Sequence, residues 1–374
     1  MRVARCDDSR NRRRPLLSER PVFLLTHVAD DGTEQIFHVD QVQPLGFEAF
    51  SDCLRDGRRS HPTVMCGTHS DANHRTGATA GERVRMTFPL EFNERIPFYG
   101  LVDGGVVPPM YLPPECVLVL DRNVVAALTR PGNSKHPESQ GEAWMFEFLN
   151  NSALKLNPTL GAFEGTNRQT PKFEEFRADV LATASAIRAR LPKVQVAQLT
   201  DDVLLQLHAW RTSFDARAEL ERGFLLAVAP LLKDATAASR LKSAEEAVLR
   251  EARERGLEMC FVVLTALAML YESPGGADGG AARAVLKPAD SYSEADAYNA
   301  LADLRQLEVL AASRGMLQSV ALLTADQRLA LLWCGLGVQN VQVGVRNTRV
   351  RLNPDPALFA RLPAEQRSIL FKKS

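Results

Sequence analysis

The chain has 374 residues, enough for two domains or for one domain carrying a large insertion. Its 45 basic and 45 acidic residues cancel to a formal net charge of +0, so no global field draws it to nucleic acid and any polyanion contact must come from a local patch. A hydrophobic share of 45% with 24% charged residues is that of an ordinary soluble globular protein, and six scattered cysteines argue for reduced thiols in a cytoplasm rather than a disulfide framework.

Residues 1–20 carry Arg12, Arg13 and Arg14 without the apolar stretch of a secretory signal, and read as a flexible basic tail. From 21 to 110, the runs PVFLLTHV, EQIFHVDQV, RVRMTFPLEF and IPFYGLVDG read as short strands separated by turn residues, which predicts a β-rich N-terminal module. Cys53, His61, Cys66, His69 and His74 lie within it. Only one compact ligand knuckle is visible among them, so they read as ordinary residues near a strand rather than as a zinc site, and GTHSDANHRTGATAG reads as a polar loop. The two Pro pairs of VVPPMYLPP place a boundary near 111.

Beyond it the chain changes character. Glu115 to Asp121 is a near-continuous apolar run that ends in an acid, as a strand buried on both faces would, and Arg122 to Thr129 reads as the helix returning the chain. Ala143 to Leu149 and Val180 to Leu191 read as helices on either side of LNPTLGAFEGTNRQTP, which holds Glu164. Residues 172–258 have the composition of a helical insertion, with an amphipathic charged stretch from Ser239 to Gly256. The run Cys260 to Tyr271 is far shorter than the roughly 20 apolar residues that span a bilayer, so it reads as a buried helix and no membrane partner is expected.

The segment Ala295 to Gly337 reads as helix, turn, strand, acid, helix. Asp296, Asn299 and Asp303 share one face of the helix running from Glu294 to Ser313. Ser319 to Thr324 reads as a second buried strand, and Asp326 follows where it ends. Asp326 has two readings of equal weight from spacing alone: a helix cap for Gln327 to Cys334, or a ligand group at a strand's carboxyl end. Val338 to Val345 reads as a further strand and Leu358 to Leu370 as a terminal helix.

Two buried strands that both end in Asp suggest neighbours in one parallel sheet, delivering carboxylates to the same edge. Carboxylates crowded at one site repel each other unless a divalent cation neutralises them, so a set formed by Asp121, Glu164, Asp303 and Asp326 points to Mg²⁺ or Mn²⁺. In order and surroundings these residues resemble the PIN-domain family: VLVLD ending at Asp121, Glu164 in GAFEGT, ADLRQLEVLAA beginning at Ala302, and LLTADQRLALLW around Asp326.

The resemblance covers roughly 115–345 and implies an α/β fold, a parallel sheet between helices, for 111–374, interrupted by the helical insertion of about 172–258. It implies a metal-dependent endoribonuclease acting on single-stranded RNA, as a toxin, a phage-defence effector or an agent of RNA turnover. It further implies that Asp121, Glu164, Asp303 and Asp326 are catalytic and metal-binding, and it is compatible with an inhibitory protein partner or a homo-oligomer. Substrate contacts then fall to Asn299, Arg122, Arg168, Lys172 and Arg328, with Asp296 near them and Thr324 holding a ligand carboxylate by a hydrogen bond. A haloacid-dehalogenase-like phosphatase is a lesser alternative, since Asn123 stands where that motif wants a second Asp and Asn is no general acid. A non-catalytic descendant of the PIN fold, with the acids serving as caps, is the other.

Overall fold

The computed structural model describes residues 2–5, 23–28, 34–55, 60–69, 83–91, 97–130, 138–163, 170–234, 236–257, 260–273, 280–316, 319–343 and 348–367. The N-terminal part forms one antiparallel sheet. Its elements are β1 (Arg2–Arg5), β2 (Phe23–Val28), β3 (Glu34–Val42), α1 (Phe47–Arg55), β4 (Ser60–His69) and β5 (Arg83–Glu91), with strand order β1-β5-β4-β3-β2. Alternation along β3 buries Gln35, Phe37 and Val39 and leaves Ile36, His38 and Asp40 half-buried, the period-2 signature of a sheet with one covered face.

Two sequence expectations differ from this arrangement. Arg2–Arg5, read as part of a flexible tail, pairs with β5. Cys66 and His69, read at the edge of a loop, belong to β4, which pairs with β3 from Met65 to His69 and with β5 from Ser60 to Thr68. Cys53 and Cys66 are both buried. The side chains of His61 and His69, and all of His74, lie outside the described residues.

The larger part contains β6 (Tyr99–Val102), β7 (Gly105–Val107), β8 (Val117–Leu120), α2 (Arg122–Leu128), α3 (Gln140–Asn151), β9 (Lys155–Asn157), α4 (Thr159–Phe163), α5 (Phe173–Arg190) and β10 (Gln195–Val196). A helical stretch follows, α6 (Asp201–Ser213), α7 (Asp215–Leu232), α8 (Leu241–Glu254), α9 (Phe261–Tyr271), α10 (Ala281–Leu286) and α11 (Glu294–Met316). The chain then returns to the sheet with β11 (Val320–Thr324) and α12 (Gln327–Leu336), and leaves it in a hairpin of β12 (Val338–Val343) and β13 (Thr348–Leu352). The fold is mixed α/β.

Its central sheet has the order β10-β9-β8-β11-β6-β7. Strands β10, β9, β8 and β11 are parallel, whereas β6 runs antiparallel to β11. Tyr99–Val102, which the alternating pattern placed in the N-terminal module, therefore completes the central sheet. Taken in chain order, the four parallel strands read 3-2-1-4. Strand order reverses between β8 and β11, the topological switch point at which open α/β sheets bind ligands.

Every residue of α9 is buried, which accounts for its unbroken apolar sequence. Helix α12 covers β6, where Trp333 Nε1 donates to the Val102 carbonyl at 2.8 Å. Gly337 ends α12 at φ +57, and a Cβ there would lie 2.0 Å from the Asn353 carbonyl oxygen, so only glycine suits the step into β12. Leu45 exchanges two backbone hydrogen bonds of 3.0 Å with Val106, tying the N-terminal part to β7. Near the C-terminus, Leu358, Phe359 and Leu362 are buried in a run of turns, and of the helix that Leu358 to Leu370 predicts the described residues show only 364–367 as helical.

A half-buried carboxylate links two of the core helices. Glu272 follows α9 and accepts from the first backbone N–H groups of α10, Ala282 at 2.7 Å and Arg283 at 3.3 Å. Burial outweighs these bonds and pushes its pKa up to about 7. The folded value lies above the unfolded one, so the native protein binds the extra proton between pH about 4.5 and 7 and loses stability as pH rises through that window. Glu272→Gln is expected to remove this slope. Its stability relative to wild type should improve by up to about 3 kcal/mol between pH 4.5 and 8 in urea titrations. A difference that stays constant across the window would contradict the assignment.

Candidate functional site

Strands β8 and β11 pair in register from Val117 opposite Val320 to Leu120 opposite Leu323. Both strands are apolar because both faces are covered, and they stop together because an acid-led helix begins after each. Asp121 is the N-cap of α2, its Oδ1 accepting from Val124 N at 2.9 Å. Asp326 is the N-cap of α12, its Oδ1 accepting from Arg328 N at 2.8 Å and Leu329 N at 3.0 Å.

Capping and site membership were alternatives on spacing alone, and the geometry makes them compatible. Each acid caps its helix with Oδ1. Between them stands Thr324, which is wholly buried. Its hydroxyl donates to Asp121 Oδ2 and accepts from Asp326 N at 3.0 Å. Asp326 is half-buried, and its Oδ2 accepts no hydrogen bond among the described residues.

Asp121 is 1% exposed. Desolvation pushes its pKa above the usual carboxylate range, against the opposing pull of the Thr324 hydroxyl and the backbone N–H groups of Val124 and Asn123. The neighbouring charge of Asp326 pushes in the same direction as burial. The two acids, separated by some two hundred positions in sequence, thus share one electrostatic environment.

The other expected members are placed differently. Asp303 is half-buried on α11. No group of three or more His, Cys, Asp or Glu side chains among the described residues is arranged to hold a metal. Asp121 and Asp326 are therefore brought together without Asp303 as a third member of such a group.

Glu164 and Arg168 lie outside the described residues. Asn299 is exposed, and Asp296 is occupied at the start of α11, accepting from Ser293 N at 2.8 Å and Ser293 Oγ at 2.6 Å. Arg122 is exposed on the first turn of α2, Arg328 is half-buried on the first turn of α12, and Lys172 is exposed at the N-cap of α5.

The helical insertion packs against α4 and α11. Arg211 of α6 donates to the carbonyl of Phe163 on α4 at 3.0 Å, and Thr170 donates to Asp215 at 2.8 Å. Across α7 and α11, Arg217 binds Glu221 at 2.7 Å and Glu308 at 2.5 Å, and Arg305 binds both acids as well. Glu221 is buried, and burial pushes its pKa upward against the pull of Arg305. Between α4, the α6–α7 elbow and α11 the structure leaves a cavity of about 340 Å³, with Phe163, Phe214, Arg305 and Gln306 in its lining. Sequence reasoning identified none of these four, because their convergence comes from tertiary packing of an insertion whose periodicity shows only that it is helical.

The chain matches no family model, no curated protein and no solved structure. No described helix is long and apolar enough to cross a membrane.

Proposed function

We propose that the chain is a PIN-type, metal-dependent endoribonuclease. The observation that carries this reading is the pairing of Asp121 and Asp326 at the carboxyl ends of adjacent parallel strands, bridged by Thr324, at the point where strand order reverses. The donor set fits a hard cation. It consists of oxygen only, and Mg²⁺ is commonly held by one or two carboxylates with water and substrate phosphate in its remaining positions. When bound, Mg²⁺ or Mn²⁺ supplies an activated water and charge stabilisation on an RNA phosphate.

The chain's own residues do the positioning. Asp326 offers its unengaged Oδ2, and the Thr324 hydroxyl orients the Asp121 carboxylate, whose oxygens would accept a cation in addition to the hydrogen bonds they already hold. The N-terminus of α12 favours anionic groups nearby. Asp303 and Glu164 complete the proposed acid set, and Arg122, Arg168, Lys172, Arg328 and Asn299 are assigned to the RNA strand.

A non-catalytic binding module is the second reading. It is favoured by the same hydrogen bonds: both acids satisfy helix caps, and both oxygens of Asp121 are occupied within the protein. Cleavage of a single-stranded RNA separates the two. Wild type is expected to cut in Mn²⁺ or Mg²⁺ and to stop in EDTA, and Asp303→Asn, which preserves shape, is expected to cut at least about tenfold more slowly. Absence of metal-dependent cleavage by wild type would favour the binding module.

A further inference from the structure

Gln306, in the lining of the cavity against the insertion, carries an unmet hydrogen-bonding demand. Gln306 is 5% exposed, and its Oε1 is buried without a hydrogen-bond partner. A buried amide acceptor left in this state is unfavourable, and a donor supplied by a ligand would relieve it. The remaining lining suits a planar molecule. Phe163 and Phe214 supply aromatic surface, and the Arg305 guanidinium lies 4.8 Å from the Phe214 ring centroid, held there by its bonds to Glu221 and Glu308. At about 340 Å³ the space has the size of a small-ligand site. Ala302, on the same side of α11 as Arg305 and Gln306, keeps it open.

Aromatic rings, a guanidinium plane and one amide edge are the elements by which proteins hold an unstacked nucleobase. The amide reads a base edge that offers a donor beside an acceptor. We propose that this cavity receives one unpaired base of a single-stranded RNA, stacked within the aromatic lining and read by Gln306. This rests on the ribonuclease reading for the identity of the strand, and it adds a base-selective pocket built by the helical insertion.

The test uses the full chain in EDTA, so that binding is read without cleavage. The four ribonucleosides are titrated singly and followed by calorimetry, with wild type, Gln306→Leu and Ala302→Leu compared. Wild type is expected to bind at least one nucleoside saturably in the millimolar range or tighter. Gln306→Leu, which removes the amide, and Ala302→Leu, which fills the space, should each weaken that binding about tenfold or more. Gln306→Leu should fold at least as stably as wild type, since it removes an unpaired buried acceptor.

Saturable nucleoside binding lost in both variants, in a protein that cuts no RNA, would uphold the pocket and overturn the nuclease reading. Metal-dependent cleavage by a wild type that binds none of the four nucleosides would uphold the nuclease reading and overturn the pocket. Nucleoside binding unchanged in both variants would also overturn the pocket.

Discussion

Asp326→Asn is expected to leave α12 intact and to lower RNA cleavage at least about hundredfold, equivalent to about 2.7 kcal/mol of transition-state stabilisation. Asn caps helices about as well as Asp, so the two hydrogen bonds from Arg328 N and Leu329 N survive the change. What disappears is a charge beside Asp121, whose carboxyl is already disfavoured as an anion by burial. Without metal the variant should therefore melt above wild type, by on the order of 1 kcal/mol, because a repulsion present in the folded state is absent from the unfolded chain. With Mn²⁺ the order should reverse, since stabilisation by a ligand scales with its affinity for the native state. Thermal melts of both proteins with and without Mn²⁺ give four curves. If all four superimpose, Asp326 acts as a cap alone.

The largest effect on stability is expected at the charge network joining the insertion to α11. Arg305→Met retains much of the side chain's apolar volume but leaves Glu221 and Glu308 sharing Arg217. Removing one partner from a buried pair costs about 3–5 kcal/mol, because the remaining charge is left uncompensated. A clear fall in the urea midpoint is the expected result. Changing Glu221 to Met as well should restore most of the loss, since an apolar pair of similar volume is often as stable as a buried ion pair, and Arg217 keeps Glu308 at 2.5 Å. An unchanged midpoint in Arg305→Met would show that the network holds nothing together.

The sequence was most informative where local chemistry and topology coincide. An apolar run ending in Asp is written twice, and a fully buried parallel strand has few other appearances, so the meeting of Asp121 and Asp326 was legible before any coordinates. Thr324 was legible for the same reason, lying two residues before its motif's acid. Strand partnership was not. Tyr99–Val102 reads as a strand in either sheet, and only its pairing with β11 assigns it to the larger one. Strand β4 escaped notice because Pro62 and Gly67 interrupt its pattern and because its Cys and His residues draw attention as ligands. Helix α11 shows how far periodicity reaches. Its spacing places Asp296, Asn299 and Asp303 on one face, but that face carries a capping acid, an exposed amide and a half-buried acid rather than one converging set. Gln306 was invisible because a glutamine within a helix is a common surface residue, and its burial depends on α4 and α7 closing over it.

The central claim is that the switch point between β8 and β11 holds a divalent cation. Its most direct measurement is a Mn²⁺ titration of the full chain, with free ion followed by electron paramagnetic resonance, for wild type and Asp326→Asn in parallel. Saturable uptake by wild type that is lost or strongly weakened in Asp326→Asn is the predicted result. No uptake by wild type, or equal uptake by both proteins, would contradict it.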